Sequence, residues 1–131
     1  MAKPTVSKTT PILFAERIEP CLTFWEKLGF DRASEVREGD HLGFAIVTNG
    51  DVELMYQTLE SIAADMPQVR EAAETSKTLL FVEVPSVAAV NEALAGAPIY
   101  MPERETFYGS TEVGYRDPAG HFVNFAQFED E

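Results

Sequence analysis

Two copies of a hairpin-forming pattern occur in this 131-residue chain. The first copy, residues 43–57, turns at Asn49-Gly50, a dipeptide typical of tight turns because both residues tolerate a positive φ. The second copy, residues 114–127, turns at Asp117-Pro118-Ala119-Gly120, where proline presets φ and glycine tolerates a positive value. A strand-like segment and a helical segment precede each copy, and internal repetition of this kind decides the architecture. The sequence therefore predicts two βαβββ modules.

The two modules are predicted to form one domain over residues 1–131. Module 9–58 is joined to module 77–128 by a partly helical connector, 59–76. Glu19-Pro20 begins the first helix, since proline is tolerated in the first helical turn, and Ser86 is a good N-cap for the second. Strands are predicted at residues 10–15, 32–38, 42–47, 52–58 and 78–84, with an edge strand around residues 99–101.

The charge balance limits the classes of molecule that the protein is expected to bind. Ten basic residues against twenty-two acidic ones give a formal net charge of −12, which disfavours nucleic acids and favours a cationic ligand. The alternative is that this charge serves solubility alone. The sequence has no apolar run long enough to span a membrane and no apolar segment near residue 1 typical of a signal peptide. Together with a single cysteine, Cys21, these features predict a cytoplasmic protein without membrane or nucleic-acid partners.

Short motifs resemble a known family. Phe24-Trp-Glu-Lys-Leu-Gly-Phe30 is similar to its F-Y-x-x-L-G-F helix end, and Tyr108-Gly109 followed by Asp117-Pro-Ala-Gly120 is similar to its f-G…D-P-d-G ending. This family is the vicinal oxygen chelate superfamily of glyoxalases, bleomycin resistance proteins and extradiol dioxygenases. The resemblance runs from about Thr9 to Gln127. It implies an α+β fold in which two βαβββ modules form a half-open cup of mixed sheet, and a homodimer, because a second chain commonly completes the cup.

The resemblance also locates the positions at which metal-dependent members bind a divalent ion. These are a residue on the first strand and one on the fourth strand of each module, which fall here on Thr10, Glu53, Thr78 and Asn124. Only Glu53 is a ligand type that the family uses. We therefore expect no bound metal and no cofactor. His41 and His121 lie outside these positions, and His41, beside a polar turn, reads as a solvated residue without a chemical role.

A cup without metal remains a ligand-binding site of the apolar kind that small molecules occupy. Alternation along the strands and the resemblance predict seven ligand-binding residues: Phe14, Glu53, Met55, Leu80, Tyr108, Phe122 and Asn124. Tyr108 is expected to cover the mouth of the cup and to stack on an aromatic ligand. Glu53 is the one carboxylate among them, and the alternative for it is a strand residue that faces water.

Three functions remain open at this stage. The first is binding of a small cationic or amphipathic ligand without metal, in the manner of the bleomycin-resistance branch. The second is a metal-dependent lyase, isomerase or dioxygenase of the same superfamily. The third is a metal-free enzyme in which burial raises the pKa of Glu53 so that it serves as a general base. No other catalytic residue is predicted.

Overall fold

The computed structural model describes residues 3–129 and contains two four-stranded mixed sheets. The first sheet has the strand order β1-β4-β3-β2 and the second has the order β5-β8-β7-β6, so each module builds one sheet. In both sheets the first strand of the module pairs in parallel with the last, and the other pairings are antiparallel. The α+β fold with two βαβββ modules is confirmed. The strands are β1 Ile12–Ala15, β2 Asp31–Glu38, β3 His41–Asn49, β4 Val52–Thr58, β5 Leu79–Glu83, β6 Ile99–Glu105, β7 Ser110–Arg116 and β8 Phe122–Phe128.

Two of the helices begin at a residue whose side chain caps the first turn. Ser86 accepts a hydrogen bond from the backbone N–H of Ala89 at 3.1 Å, and Thr58 caps the connector helix in the same way. The connector is helical over most of its length, as predicted. None of the helices in residues 3–129 has the length and apolar character needed to cross a bilayer. The helices are α1 Glu19–Glu26, α2 Leu59–Asp65, α3 Arg70–Thr75 and α4 Val87–Ala93, with a 3₁₀ turn at Pro67–Val69.

Helix α1 packs between the two sheets. Its Trp25 is fully buried and makes an edge contact with Phe30, with ring centroids 5.0 Å apart. The same ring lies 6.3 Å from Phe125 of the second sheet. Buried residues of both modules therefore form one core, and Trp25 has the core position expected from its place on the apolar face of the helix.

Buried hydrogen bonds fix the modules relative to each other. The Trp25 indole N–H donates to Tyr56 OH at 2.8 Å, and Tyr56 OH donates to Asp117 Oδ2 at 2.6 Å. His121 Nδ1 accepts from the backbone N–H of Thr78, so its proton lies on Nε2, which donates to the Phe14 carbonyl at 2.8 Å. Both links run from the first module to the second across the shared core.

The opposite face of each sheet points away from that core, and we call it the open face. In the second sheet Val123 and Phe125 are buried in the core, so Phe122, Asn124 and Ala126 belong to the open face by alternation. No strand of one sheet pairs with a strand of the other within residues 3–129. The two open faces are therefore not joined by strand pairing within the described chain.

Candidate functional site

The open face of the second sheet carries the larger set of functional groups. Register places Glu112 opposite Ala126, Gly114 opposite Asn124 and Phe81 beside Asn124. Side chains at paired positions lie on the same face of a sheet. Strands β5, β7 and β8 thus bring two carboxylates, Glu83 and Glu112, one amide and several aromatic rings onto one surface.

Aromatic rings line this surface and leave much of it accessible. The ring centroids of Phe81 and Phe128 lie 6.3 Å apart, and Phe81 is 51% exposed. Tyr100 makes an edge contact with Phe122, with ring centroids 4.9 Å apart. Tyr108 lies 6.3 Å from Phe128. Exposed rings arranged in this way offer stacking partners to a flat ligand.

A buried carboxylate, Glu112, lies beneath these rings. Tyr108 OH donates to Glu112 Oε2, and Ser110 Oγ donates to the same oxygen at 2.8 Å. Arg104 and Asn124 approach Oε1, each at 3.4 Å. Burial opposes ionisation, but the hydrogen bonds from Tyr108, Ser110 and Arg104 outweigh it and lower the pKa of Glu112. The second sheet therefore holds an ionised carboxylate, paired with Arg104, just under its open face.

The open face of the first sheet borders a cavity of about 520 Å³ between the sheet and α2. Ile12 and Phe44 line the sheet side, and Met66 lines the helix side. Gln57 is a buried polar group there, and its amide donates to Ser61 Oγ at 3.0 Å. An apolar wall with a few fixed polar groups is the usual composition of a small-molecule site.

Glu53 lies on the same open face and is already paired. Lys8 Nζ is 2.9 Å from Glu53 Oε1, and Thr10 Oγ1 donates to Oε2 at 3.3 Å. The hydrogen bond from Lys8 is the main reason why the pKa of Glu53 is lowered. The segment before β1 thus supplies a basic partner, Lys8, for the Glu53 carboxylate. The lowered pKa also argues against Glu53 as a general base, because such a base is most effective with a pKa near neutral pH.

Six of the seven predicted ligand residues fall on two separate surfaces. Phe14, Glu53 and Met55 belong to the open face of the first sheet, whereas Phe122 and Asn124 belong to that of the second. Tyr108 precedes β7 and reaches over the second sheet to Glu112. The four positions considered for a metal are divided in the same way, with Thr10 and Glu53 at the first sheet and Thr78 and Asn124 at the second.

Leu80 does not face the open side of the sheet, as its place among the predicted ligand residues requires. Leu80 pairs with the fully buried Val123 and packs against the core, while its neighbours Leu79 and Phe81 occupy the open face. Residues 79–82 are apolar without interruption, so alternation of polarity could not show which of them face the core. Phe81 takes the position that was assigned to Leu80.

Glu112 and Tyr100 were missed. Alternation from Asn124 through the hairpin does place Glu112 on the open face, and this signal was present in the sequence. Its burial depends on Tyr108 and Arg104, which come from a loop and an edge strand. Tyr100 reaches the open face because the register of β6 shifts between Ile99 and Met101, an irregularity without a local sequence signal.

Solved structures share this arrangement over nearly the whole chain. TioX from Micromonospora sp. ML1 superposes with a TM-score of 0.76 at 18% identity, covering 95% of this chain and 100% of that one. The chain has the glyoxalase/bleomycin-resistance fold. A glyoxalase/bleomycin resistance protein/dioxygenase from Nocardioides gives a TM-score of 0.70 at 21% identity, with 99% and 87% coverage. The bleomycin-binding protein of Streptomyces verticillus, solved with copper(II)-bleomycin, gives 0.64 at 25% identity, with 97% and 100% coverage.

The resemblance to the vicinal oxygen chelate superfamily is thereby confirmed at the level of the fold. No protein-family model matches the sequence, and no curated protein matches it. Identities of 18–25% carry the architecture and leave the chemistry to be argued from this chain's own residues.

Proposed function

We propose that this protein binds a small cationic, aromatic ligand without a metal ion, in a cup formed by two copies of the chain in the cytoplasm. The observation that carries the proposal is the aromatic open face of the second sheet lying over the buried Glu112 carboxylate. Flat apolar groups stack on exposed rings, and a fixed negative charge beneath them favours a cation. Two structural neighbours were solved with bleomycin bound, which supports a ligand-binding role for this fold.

A second copy accounts for the surfaces left exposed in one chain. Strands β1 and β5 each lie at the end of a sheet and pair on one side only in the described chain. Leu79 and Phe81 on β5 are 63% and 51% exposed, an apolar edge that a monomer seldom presents to water. Pairing of β1 with β5 of another copy would cover both edges and place the first sheet of one chain beside the second sheet of its partner.

Such a cup brings the predicted ligand residues of the two sheets together. Phe14, Glu53 and Met55 would come from one chain, and Tyr108, Phe122 and Asn124 from the other. The net charge of −12 adds long-range attraction for a cation. Within the cup, Glu53 acts on the ligand's charge in competition with Lys8.

The proposed role of Glu53 is tested by removing each member of its ion pair. Metal-free bleomycin and naphthylmethylammonium serve as cationic probes, naphthoate serves as an anionic probe of matched size, and calorimetry measures affinity. Glu53→Gln should weaken binding of the cations about tenfold, since a charge-assisted hydrogen bond is lost. Lys8→Met should strengthen it by up to about fivefold, because an exposed competitor is removed.

Naphthoate provides the matched control, because its charge is reversed. Glu53→Gln should strengthen its binding, and Lys8→Met should weaken it. Equal affinities of wild type and both variants for a bound cation would show that Glu53 only faces water. Failure of every probe to bind the wild-type protein would contradict the proposed function as a whole.

A further inference from the structure

A cluster of metal-ligating side chains lies at the turn between β2 and β3, and it includes Glu38, His41 and Glu60. One candidate ligand atom of each residue lies within 4.8 Å of the others. Glu38 and His41 are direct partners across the β2–β3 hairpin, and Glu60 lies in the first turn of α2. We call these three residues the His41 cluster. It stands apart from the four strand positions considered for a metal.

The imidazole of His41 has an unsatisfied nitrogen that points into this cluster. His41 Nε2 is the one buried side-chain nitrogen or oxygen among residues 3–129 that has no hydrogen-bond partner. Its closest carboxylate oxygen is Glu60 Oε1, at 3.6 Å. The side chain is only 14% exposed, so the expectation of a solvated residue is wrong. A buried polar atom left without a partner calls for a physical explanation.

Asp40 fixes the tautomer that makes Nε2 a ligand. His41 Nδ1 lies 3.0 Å from Asp40 Oδ1, so Nδ1 carries the proton and donates it. When the ring is neutral, the Nε2 lone pair therefore faces the Glu60 carboxylate. A carboxylate behind the imidazole is the usual support of a metal-ligating histidine, because it orients the ring and raises its basicity.

Gly43 allows the second carboxylate to approach. The Glu38 side chain lies across Gly43, where a Cβ atom would overlap the carboxyl carbon. Glu38 also lines the cavity on the first sheet, next to Val36. The carboxylate is therefore held against the sheet, and Glu60, whose side chain is 78% exposed, is free to close on it.

We infer that the His41 cluster binds a divalent transition-metal ion, with one imidazole nitrogen and two carboxylates as ligands and water in the remaining positions. Borderline ions such as Zn²⁺, Co²⁺ and Ni²⁺ suit this donor set, whereas Mg²⁺ prefers oxygen ligands alone. With bonds of about 2.0–2.2 Å, the ligand atoms must close to about 3.5 Å from one another. Rotation of the exposed Glu60, together with a shift of the Glu38 carboxylate toward His41, supplies this movement. The ion joins the β2–β3 hairpin to α2, which forms one wall of the first-sheet cavity.

Calorimetric titration of untagged protein with ZnCl₂ tests the inference, with MgCl₂ as the comparison ion. One Zn²⁺ per chain should bind, and Mg²⁺ should bind far more weakly. His41→Asn should lower the Zn²⁺ affinity by more than tenfold, and Asp40→Asn by about tenfold through the lost support of the ring. Glu60→Gln should lower it as well, on an exposed helix position where the fold is not at risk. Glu92→Gln, which removes an equal charge from exposed α4, should leave it unchanged.

Thermal unfolding gives a second readout, because an ion that binds only the folded state raises the midpoint. Zn²⁺ should raise the midpoint of the wild type and of Glu92→Gln, and it should not raise that of His41→Asn. Zn²⁺ binding that survives both His41→Asn and Glu60→Gln would overturn the inference in favour of adventitious surface carboxylates. The absence of Zn²⁺ binding would overturn it too, in favour of a protonated His41 paired with Glu60. The probe is the metal alone, so the result is independent of the proposed ligand.

Discussion

Glu112 holds a negative charge inside a chain whose formal net charge is already −12. Its two oxygens receive hydrogen bonds from Tyr108, Ser110, Arg104 and Asn124. Desolvation alone would favour the neutral acid, and the donors reverse that preference. These hydrogen bonds therefore contribute to stability as long as the carboxylate is ionised.

Glu112→Gln should lower the free energy of unfolding at pH 7 by about 2 kcal/mol, the order of a hydrogen bond to a charged group. The folded-state pKa lies below the unfolded-state value of about 4.3. The ionised form thus contributes its full stability above the unfolded-state pKa and loses it as pH falls through the folded-state pKa. Urea unfolding between pH 7 and pH 3 should show the difference between wild type and variant shrinking at the acid end.

Glu105→Gln is the matched control, since it removes the same charge from an exposed position on the neighbouring strand β6. It should change stability little at any pH in that range. A Glu112→Gln difference that stays constant down to pH 3 would contradict an ionised, hydrogen-bonded Glu112.

Single residues also show where sequence-based prediction stopped. The lone carboxylate of β4, Glu53, was found by alternation, but its partner Lys8 lies in a segment without periodicity that only the folded chain brings close. The sequence does not place Leu80 correctly, because an uninterrupted apolar run does not show which side chains face the core and which face the open side of the sheet. No local pattern predicts a chemical role for His41, because its burial depends on α2, which packs against it from another part of the chain.

At the level of elements, edge strand β6 depends on one close approach. The Tyr100 ring lies directly over Gly114 of β7 and hydrogen-bonds to Asn124. Gly114→Ala should displace this ring, lose its edge contact with Phe122 and cost about 1–3 kcal/mol. Urea unfolding of the single variants and of the double variant with Tyr100→Ala measures the coupling.

In the Tyr100→Ala background the ring is gone, and the added Cβ meets only Asn124 Oδ1, 2.9 Å away at the end of a side chain that can rotate. Gly114→Ala should therefore cost much less there, since alanine also loses less backbone entropy than glycine in a strand. An equal cost of Gly114→Ala in both backgrounds would mean that some other group fills the space above Gly114.

The sequence was most informative about individual secondary-structure elements. Turns at Asn49-Gly50 and Asp117–Gly120, the Ser86 cap and the proline-containing edge strand are local signals, and local signals survive folding. The first strand begins at Ile12, two residues later than predicted, since strand ends depend on partner strands as well as on pattern. Duplication of the pattern then gave the two-module architecture.

At the scale of the whole molecule, the proposed cup takes the first sheet from one chain and the second sheet from another. The inner faces of both sheets are buried in the shared core, and the Trp25–Tyr56–Asp117 hydrogen bonds hold the modules in that arrangement. In the proposed dimer, the open faces meet when the first sheet of one copy lies beside the second sheet of the other.

Mixed dimers test this claim most directly. Met55→Lys on the first sheet and Phe122→Lys on the second each place a positive charge in the cup and should abolish binding of naphthylmethylammonium in the homodimers. The two variants are co-expressed with different tags, the mixed dimer is purified, its size is checked by light scattering, and calorimetry counts the bound probe.

A cup shared between chains predicts that the mixed dimer regains one probe site per dimer, against two in the wild-type dimer. One of its cups combines both substitutions, and the other combines the two unaltered sheets. A mixed dimer that binds no probe, or a wild-type protein that is monomeric at micromolar concentration, would contradict the shared cup.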